Sequence, residues 1–249
     1  MPRQIFAYIL LLLLQCLAFP LFANNWRELS PGIEYQDLGN GSILTLWSHI
    51  HAFRIDLKKN HLELVMAKEL SKSLASVEEF ARFSHALIAT NGGFFDQENN
   101  PLGLRVSNQQ QHNPIKPISW WGVFYINKQR AYLSSPTHYS TSAANNFAIQ
   151  SGPRLVINGK IPTLKPGYAE RTALGITANN QIILVVTENA PLTASALASI
   201  MASAPLRCRN ALNLDGGSST QLVANIGSFQ INKRGYSNVS DAIIVKGVP

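Results

Sequence analysis

Two stretches of this 249-residue chain share one pattern, and it limits what the rest can fold into. Residues 86–93 read Ala-Leu-Ile-Ala-Thr-Asn-Gly-Gly, and residues 211–217 read Ala-Leu-Asn-Leu-Asp-Gly-Gly. Each is a short apolar run of buried-strand length, closed by an Asn or Asp and two glycines. Each also follows a helical pattern. Ser76 and Glu79 match a capping box, and Val77, Phe80, Ala81 and Ser84 recur at i, i+3, i+4, i+7. Thr193 can cap the second helix, where Leu197, Ile200, Met201 and Ala204 keep the same spacing. Two helix–strand–Gly-Gly units are therefore expected to face each other and bring both turns to one site. Chance similarity is the competing explanation, because Gly-Gly turns are common.

Strand patterns fill much of the remainder: Ser42–Trp47, His51–Leu57, Leu62–Ala67, Trp121–Ile126, Arg154–Ile157, Gln181–Thr187 and Ala242–Lys246. The expected class is α+β: one domain with mixed β-sheets and a few packed helices. The polar stretches 99–117 and 134–146 read as surface loops, not linkers. With 46% hydrophobic and 14% charged residues, whole-chain disorder is excluded. A multi-span membrane protein is excluded too, since the only long apolar run lies at the start.

That run has the layout of a secretory signal peptide. Arg3 precedes the apolar stretch Ile5–Leu14. Gln15, Cys16 and Pro20 interrupt it, and Leu21-Phe22-Ala23 precedes Asn24. Cleavage is expected after Ala23, giving a leader at 1–23, a domain at 24–249 and no stable membrane insertion afterwards. The apolar stretch is short for a span, which weighs against a retained anchor. Cleavage removes Cys16 and leaves Cys208 alone, so no internal disulfide is available. Export without disulfides suits a bacterial periplasm or secretion from a bacterium. The formal charge of +7 is spread along the chain, with Lys58-Lys59 and Lys233-Arg234 the densest clusters. This disfavours nucleic acid and suits small anionic ligands or an anionic envelope surface. No Cys/His cluster has zinc-ligand spacing, and no metal or cofactor is expected.

Four constellations carry candidate chemistry. In Asn213–Thr220, Asp215 ends an apolar strand. Gly216 and Gly217 let backbone approach a ligand, with N–H groups open to an anion, and Ser218 and Ser219 add hydroxyls. The plain alternative is a turn in which Asp215 caps its own backbone. In Asn91–Asp96, Asn91 offers donor and acceptor together beside Gly92 and Gly93. Phe94 and Phe95 there form a hydrophobic wall or core. In Ser151–Lys160, a Gly-Pro turn leads to Arg154, and Asn158-Gly159 reads as a tight hairpin turn. Arg171-Thr172 opens another apolar strand, where an arginine can grip phosphate or carboxylate. Its alternative is a surface salt bridge with Glu170 or Glu188. His49 and His51 share a strand face, but a half-exposed strand explains them better than a metal site lacking a third ligand. Asp96 and Glu98 read as a solvated loop.

At these four places, in this order, the sequence resembles the phosphodiester glycosidase family: NGGFFD, SGPRLVINGK, RTALGI and ALNLDGGSST. Ser240–Val245 is similar to that family's closing strand. The chain departs from the family at Thr187–Ala190, where a turn like Asp-Gly-Arg is usual, and at Ser218, where a third glycine is usual. Animal members remove N-acetylglucosamine from a phosphodiester, and bacterial members are exported and exopolysaccharide-related. The resemblance implies hydrolysis of the C1–O bond of a sugar-1-phosphodiester in envelope or extracellular glycans. It implies catalytic parts for Asp215, Arg171 and Asn91. It also implies substrate contacts from Gly92, Gly93, Phe94, Arg154, Thr172, Gly216, Gly217, Ser218 and Ser219. The alternative is a non-catalytic envelope glycan-binding protein on the same scaffold.

Overall fold

The computed structural model describes residues 26–39, 47–140, 142 and 144–248. The expected signal peptide and most of the expected strand Ser42–Trp47 lie outside these residues.

Short β-branched and apolar runs dominate, and they assemble into three sheets. The first has seven strands, in the order β1 (Arg27–Ser30), β2 (Ile33–Asp37), β3 (His49–Ile55), β13 (Ile182–Glu188), β12 (Thr172–Thr177), β14 (Cys208–Asn213) and β11 (Arg154–Val156). The second has five: β7 (Gln110–Asn113), β6 (Arg105–Ser107), β10 (Asn145–Ser151), β8 (Gly122–Asn127) and β9 (Arg130–Ser134). The third also has five: β16 (Phe229–Lys233), β15 (Leu222–Ile226), β5 (Ile88–Asn91), β17 (Asp241–Gly247) and β4 (Asn60–Met66). Neighbouring strands are antiparallel in all three sheets.

The two expected helices form, and the fold is α+β. Helix α1 (Val77–Ser84) starts at a capping box: the Ser76 hydroxyl accepts from the Glu79 N–H, and the Glu79 carboxylate accepts from the Ser76 N–H. Its Val77, Phe80 and Ala81 pack on Ala89, Ala242 and Ile244 of the third sheet. Helix α2 (Ala194–Ala202) is capped by Thr193, whose hydroxyl accepts from the Ala196 N–H. Its Leu197, Ala198 and Met201 pack on Leu155, Ile183 and Cys208 of the first sheet. Burial pushes the Cys208 thiol up to about 12, so it behaves as a small apolar side chain.

One core joins the three sheets. Phe53, Leu184 and Leu212 come from the first, Phe124, Phe147 and Ile149 from the second, and Leu64, Ile88 and Ile243 from the third. Strands β5 and β14 run into this core and end at its rim, where their Gly-Gly turns emerge.

Candidate active site

The two turns meet. The Asn91 Nδ2 donates to the Asp215 carbonyl at 2.9 Å, and the Asp215 N–H donates to the Gly92 carbonyl at 3.2 Å. Asn91 is fully buried. Its Oδ1 accepts from the Thr172 hydroxyl at 2.8 Å and from the Gln221 N–H at 3.2 Å. Both ends of the amide are thus spent on protein groups. The Leu214 N–H donates to the Thr172 carbonyl at 2.8 Å, which ties β12 to the same junction. The expected facing of the two units is therefore seen as contact between their turns.

Asp215 is half-buried at this junction. Burial raises its carboxyl above the ordinary carboxylate range. The Ser219 side chain and the Gly216 N–H, which donates to Oδ1 at 2.9 Å, pull the other way. The Asp241 charge adds to the rise, and the Arg105 charge opposes it.

Arg105 and Asp241 are the residues that sequence reasoning missed. Both side chains are fully buried, with Arg105 Nε 3.1 Å from Asp241 Oδ1. Arg105 also donates to the carbonyls of Leu102, Gln150 and Phe94. Asp241 accepts from the Gly93 N–H at 3.2 Å and from the Ser240 hydroxyl at 2.8 Å. A buried charge needs this density of partners to offset its desolvation. The pair explains the Gly92-Gly93 turn. A Cβ on Gly92 would overlap the Asp241 carboxylate, and one on Gly93 would overlap the Arg105 guanidinium. A signal existed in the sequence for one of them: Asp241 opens the apolar run Ala242–Val245.

The open glycine N–H groups expected from the sequence are not there. Gly92 and Gly93 donate to Asp241, Gly216 donates to Asp215, and Gly217 donates to the Glu170 carbonyl at 2.8 Å. The glycines serve close packing of the site's own groups. Gly217 additionally sits at φ +61°, where a side chain is strained.

Lys233, one of the residues of the Lys233-Arg234 cluster, is buried. Its ammonium donates to the Thr220 carbonyl at 2.6 Å and pairs with Glu170. Lys233 and Glu170 together brace the 215–220 loop from behind. Arg171 makes neither of the salt bridges that stood as the alternative to an anion grip: Glu170 pairs with Lys233 and Glu188 with His51. Its Nε donates to the Leu192 carbonyl at 2.9 Å and its Nη2 to the Gly167 carbonyl at 2.7 Å. Its backbone lies against Gly216, while its guanidinium is held among these rim loops. Arg154 lies on edge strand β11, with Nη2 donating to the Ser119 carbonyl at 3.2 Å. Phe94 packs on Trp121, and Ser218 is exposed.

Elsewhere, His51 bonds Tyr35 and Glu188, and His49 bonds Asp37. Among the described residues, no group of three or more His, Cys, Asp or Glu side chains is placed to hold a metal ion. A polar cavity of about 400 Å³ opens beside α1 and the β15–β16 hairpin, lined by Glu78, Arg82 and Arg234. Gln221 is part of its lining, and Asn91 and Asp215 are not. No helix among the described residues is long and apolar enough to cross a membrane.

An uncharacterised Escherichia coli K12 protein, YigE, is 31% identical over 115 residues, which span 41% of this chain and 45% of that protein. The chain thus matches less than half the length of this relative. Among solved structures, a hypothetical protein from Synechocystis superposes at TM-score 0.62 with 18% identity, over 87% of this chain and 62% of that one. The catalytic domain of zebrafish N-acetylglucosamine-1-phosphodiester α-N-acetylglucosaminidase, auto-inhibited by its pro-peptide, superposes at 0.65 with 18% identity, over 87% and 84%. A candidate exported protein of Burkholderia pseudomallei superposes at 0.54 with 13% identity, over 81% and 74%. At these identities the structural likeness is one of fold. The sequence match reaches further: residues 84–246, which run from the end of α1 through β17 and contain both joined turns, fit the phosphodiester glycosidase family, and the chain belongs to that family.

Proposed function

We propose that this protein is an exported bacterial glycosidase that hydrolyses the C1–O bond of a sugar-1-phosphodiester in envelope or extracellular glycans. A GlcNAc-1-phosphodiester is its model substrate. The observation that carries the reading is the junction itself: one half-buried carboxylate, Asp215, held by backbone and amide bonds between two locked turns. Family membership and the activity in the zebrafish enzyme's name support the bond type.

The chemistry suits so few groups. Ordinary glycosidases use two carboxyl groups, one to protonate a poor alkoxide leaving group. A phosphate leaves readily, so the demand falls on one carboxylate and on cations for the departing charge. In this reading Asp215 acts at the anomeric carbon, directly or through a water. Arg171 and Arg154 receive the phosphate, each with N–H groups beyond those given to carbonyls. Asn91 is a positioning residue, since its amide is already engaged. Gly92, Gly93, Phe94, Thr172, Gly216, Gly217, Ser218 and Ser219 shape the place where the sugar lies.

The test is incubation with a panel of sugar-1-phosphodiesters, with products read by NMR. Free sugar and phosphomonoester are expected, and Asp215→Asn should abolish both while leaving the fold intact. A non-catalytic glycan-binding protein would retain ligand without turnover, and intact diester in every reaction would establish that alternative.

A further inference from the structure

Three aromatic rings lead outward from the Gly92-Gly93 turn. The Phe94 centroid is 5.4 Å from that of Trp121, and Trp121 stands edge-on to Trp120 at 5.8 Å. Trp121 is 5% exposed and is wedged in place: a Cβ on Gly152 would lie 2.5 Å from its Cδ1, and one on Gly103 would lie 3.1 Å from its Cζ3. Trp120 is 55% exposed. It is nonetheless anchored, because its carbonyl accepts from the Arg154 N–H at 3.3 Å and the preceding carbonyl, of Ser119, accepts from the Arg154 guanidinium. The Trp120 indole thus stands on a tied backbone and against Trp121, yet forgoes much of the burial that stabilises a large apolar side chain. It is not an isolated surface residue, because it continues a row of three rings that starts at the Gly92-Gly93 turn.

A second observation points to the ligand. Trp121 Nε1, Ser151 Oγ and Asn213 Oδ1 are buried and find no hydrogen-bond partner among the described residues. They cluster: Ser151 precedes Gly152, which packs on Trp121, and Asn213 Nδ2 donates to the Gly152 carbonyl at 3.0 Å. Asn213 stands two residues before Asp215. Each such group costs stability when left unpaired. A pyranose ring has a flat face of C–H groups and a rim of hydroxyls. A supported indole face is complementary to that C–H face, and the unpaired polar atoms lie buried behind the rings, between Trp121 and the end of β14.

From this we infer that Trp120, backed by Trp121 and Phe94, is a sugar subsite that takes a second pyranose ring of the glycan whose first ring is cleaved at Asp215. The substrate is then an oligosaccharide, not a lone glycosyl phosphodiester. Only the placing of the first ring rests on the glycosidase reading.

The test separates the two. Binding of phosphate-free glucose and N-acetylglucosamine oligosaccharides, one to four rings long, is measured by calorimetry and saturation-transfer NMR. The proteins are wild type, Trp120→Ala, Trp120→Phe and Phe83→Ala, the last altering an exposed aromatic on α1. Wild type should bind disaccharides and longer chains more tightly than monosaccharides. Trp120→Ala should weaken binding of the longer chains at least tenfold with unchanged melting, Trp120→Phe should recover part of it, and Phe83→Ala should match wild type. Equal affinity in wild type and Trp120→Ala, or no binding of any oligosaccharide, would overturn the subsite. Binding that depends on Trp120 without turnover of any phosphodiester would instead leave the subsite standing and remove the glycosidase reading.

Discussion

The Asn91 side-chain amide donates to the Asp215 carbonyl at 2.9 Å, while the Asp215 N–H donates to the carbonyl of Gly92, the residue after Asn91. Each turn is thereby the other's support, across two different sheets. Asn91→Ala should leave the Thr172 hydroxyl, the Gln221 N–H and the Asp215 carbonyl without partners. At about 1–3 kcal/mol for a buried group left unpaired, a loss of several kcal/mol is expected in chemical denaturation. Asn91→Asp keeps the shape but replaces the donor with a carboxylate facing a carbonyl. It should fold less stably than wild type and turn over less than one-hundredth as fast. A wild-type rate in Asn91→Asp would remove the positioning role.

Asp215 makes a stability prediction independent of activity. Its carboxyl is raised by burial, so the folded state holds that proton more tightly than the unfolded chain does. The associated stability is complete below the ordinary carboxylate pKa of about 4, and it is lost as pH rises through the folded value. Asp215→Asn cannot ionise. It should melt higher than wild type at pH 7, with the difference closing as pH falls toward 4. Thermal melts across that range read this directly, and a wild type that melts higher at pH 7 would contradict the burial account.

The buried Arg105–Asp241 pair should be the costliest ion pair to break. Arg105→Met leaves the Asp241 carboxylate buried without its cation, so about 3–5 kcal/mol of stability should be lost in urea unfolding. Asp241→Asn also removes a charge that raises the Asp215 carboxyl. Where this variant folds, the acid limb of its kcat/KM profile should move to lower pH. A profile that stays in place would show that Asp241 does not act on the titrating group.

Arg171 is tied to two loop carbonyls by part of its guanidinium. Arg171→Ala should lose about 1–2 kcal/mol of stability from those bonds. It should also raise KM for a phosphodiester about tenfold or more, equivalent to about 1.4 kcal/mol of binding. Steady-state kinetics beside a melting curve separates the two effects. Unchanged kinetics with lowered stability would reduce Arg171 to a loop anchor.

Local patterns proved legible for physical reasons that are themselves local. Ser76 with Glu79, and Thr193, cap the helices they were expected to cap, because capping needs only residues three apart. Asn158-Gly159 forms its tight turn, with Ile157 and Lys160 exchanging backbone bonds. Strand ends drifted by a residue or two, as at His49–Ile55 against the expected His51–Leu57. The burial of Lys233 was not legible, because nothing near it in sequence tells that Glu170 and the Thr220 carbonyl enclose it.

The sequence by itself determined the class, the two helix–strand–Gly-Gly units and the residues that end them, since periodicity, capping and turn chemistry act over a few neighbouring positions. Only the tertiary structure decided what those turns do. It closed Asn91 onto Asp215, filled the glycine N–H groups with protein partners, and buried Arg105 against Asp241 beneath them. Those pairings join strands far apart in the chain, and the energy that selects them comes from burying charge and amide groups together, which no local pattern encodes.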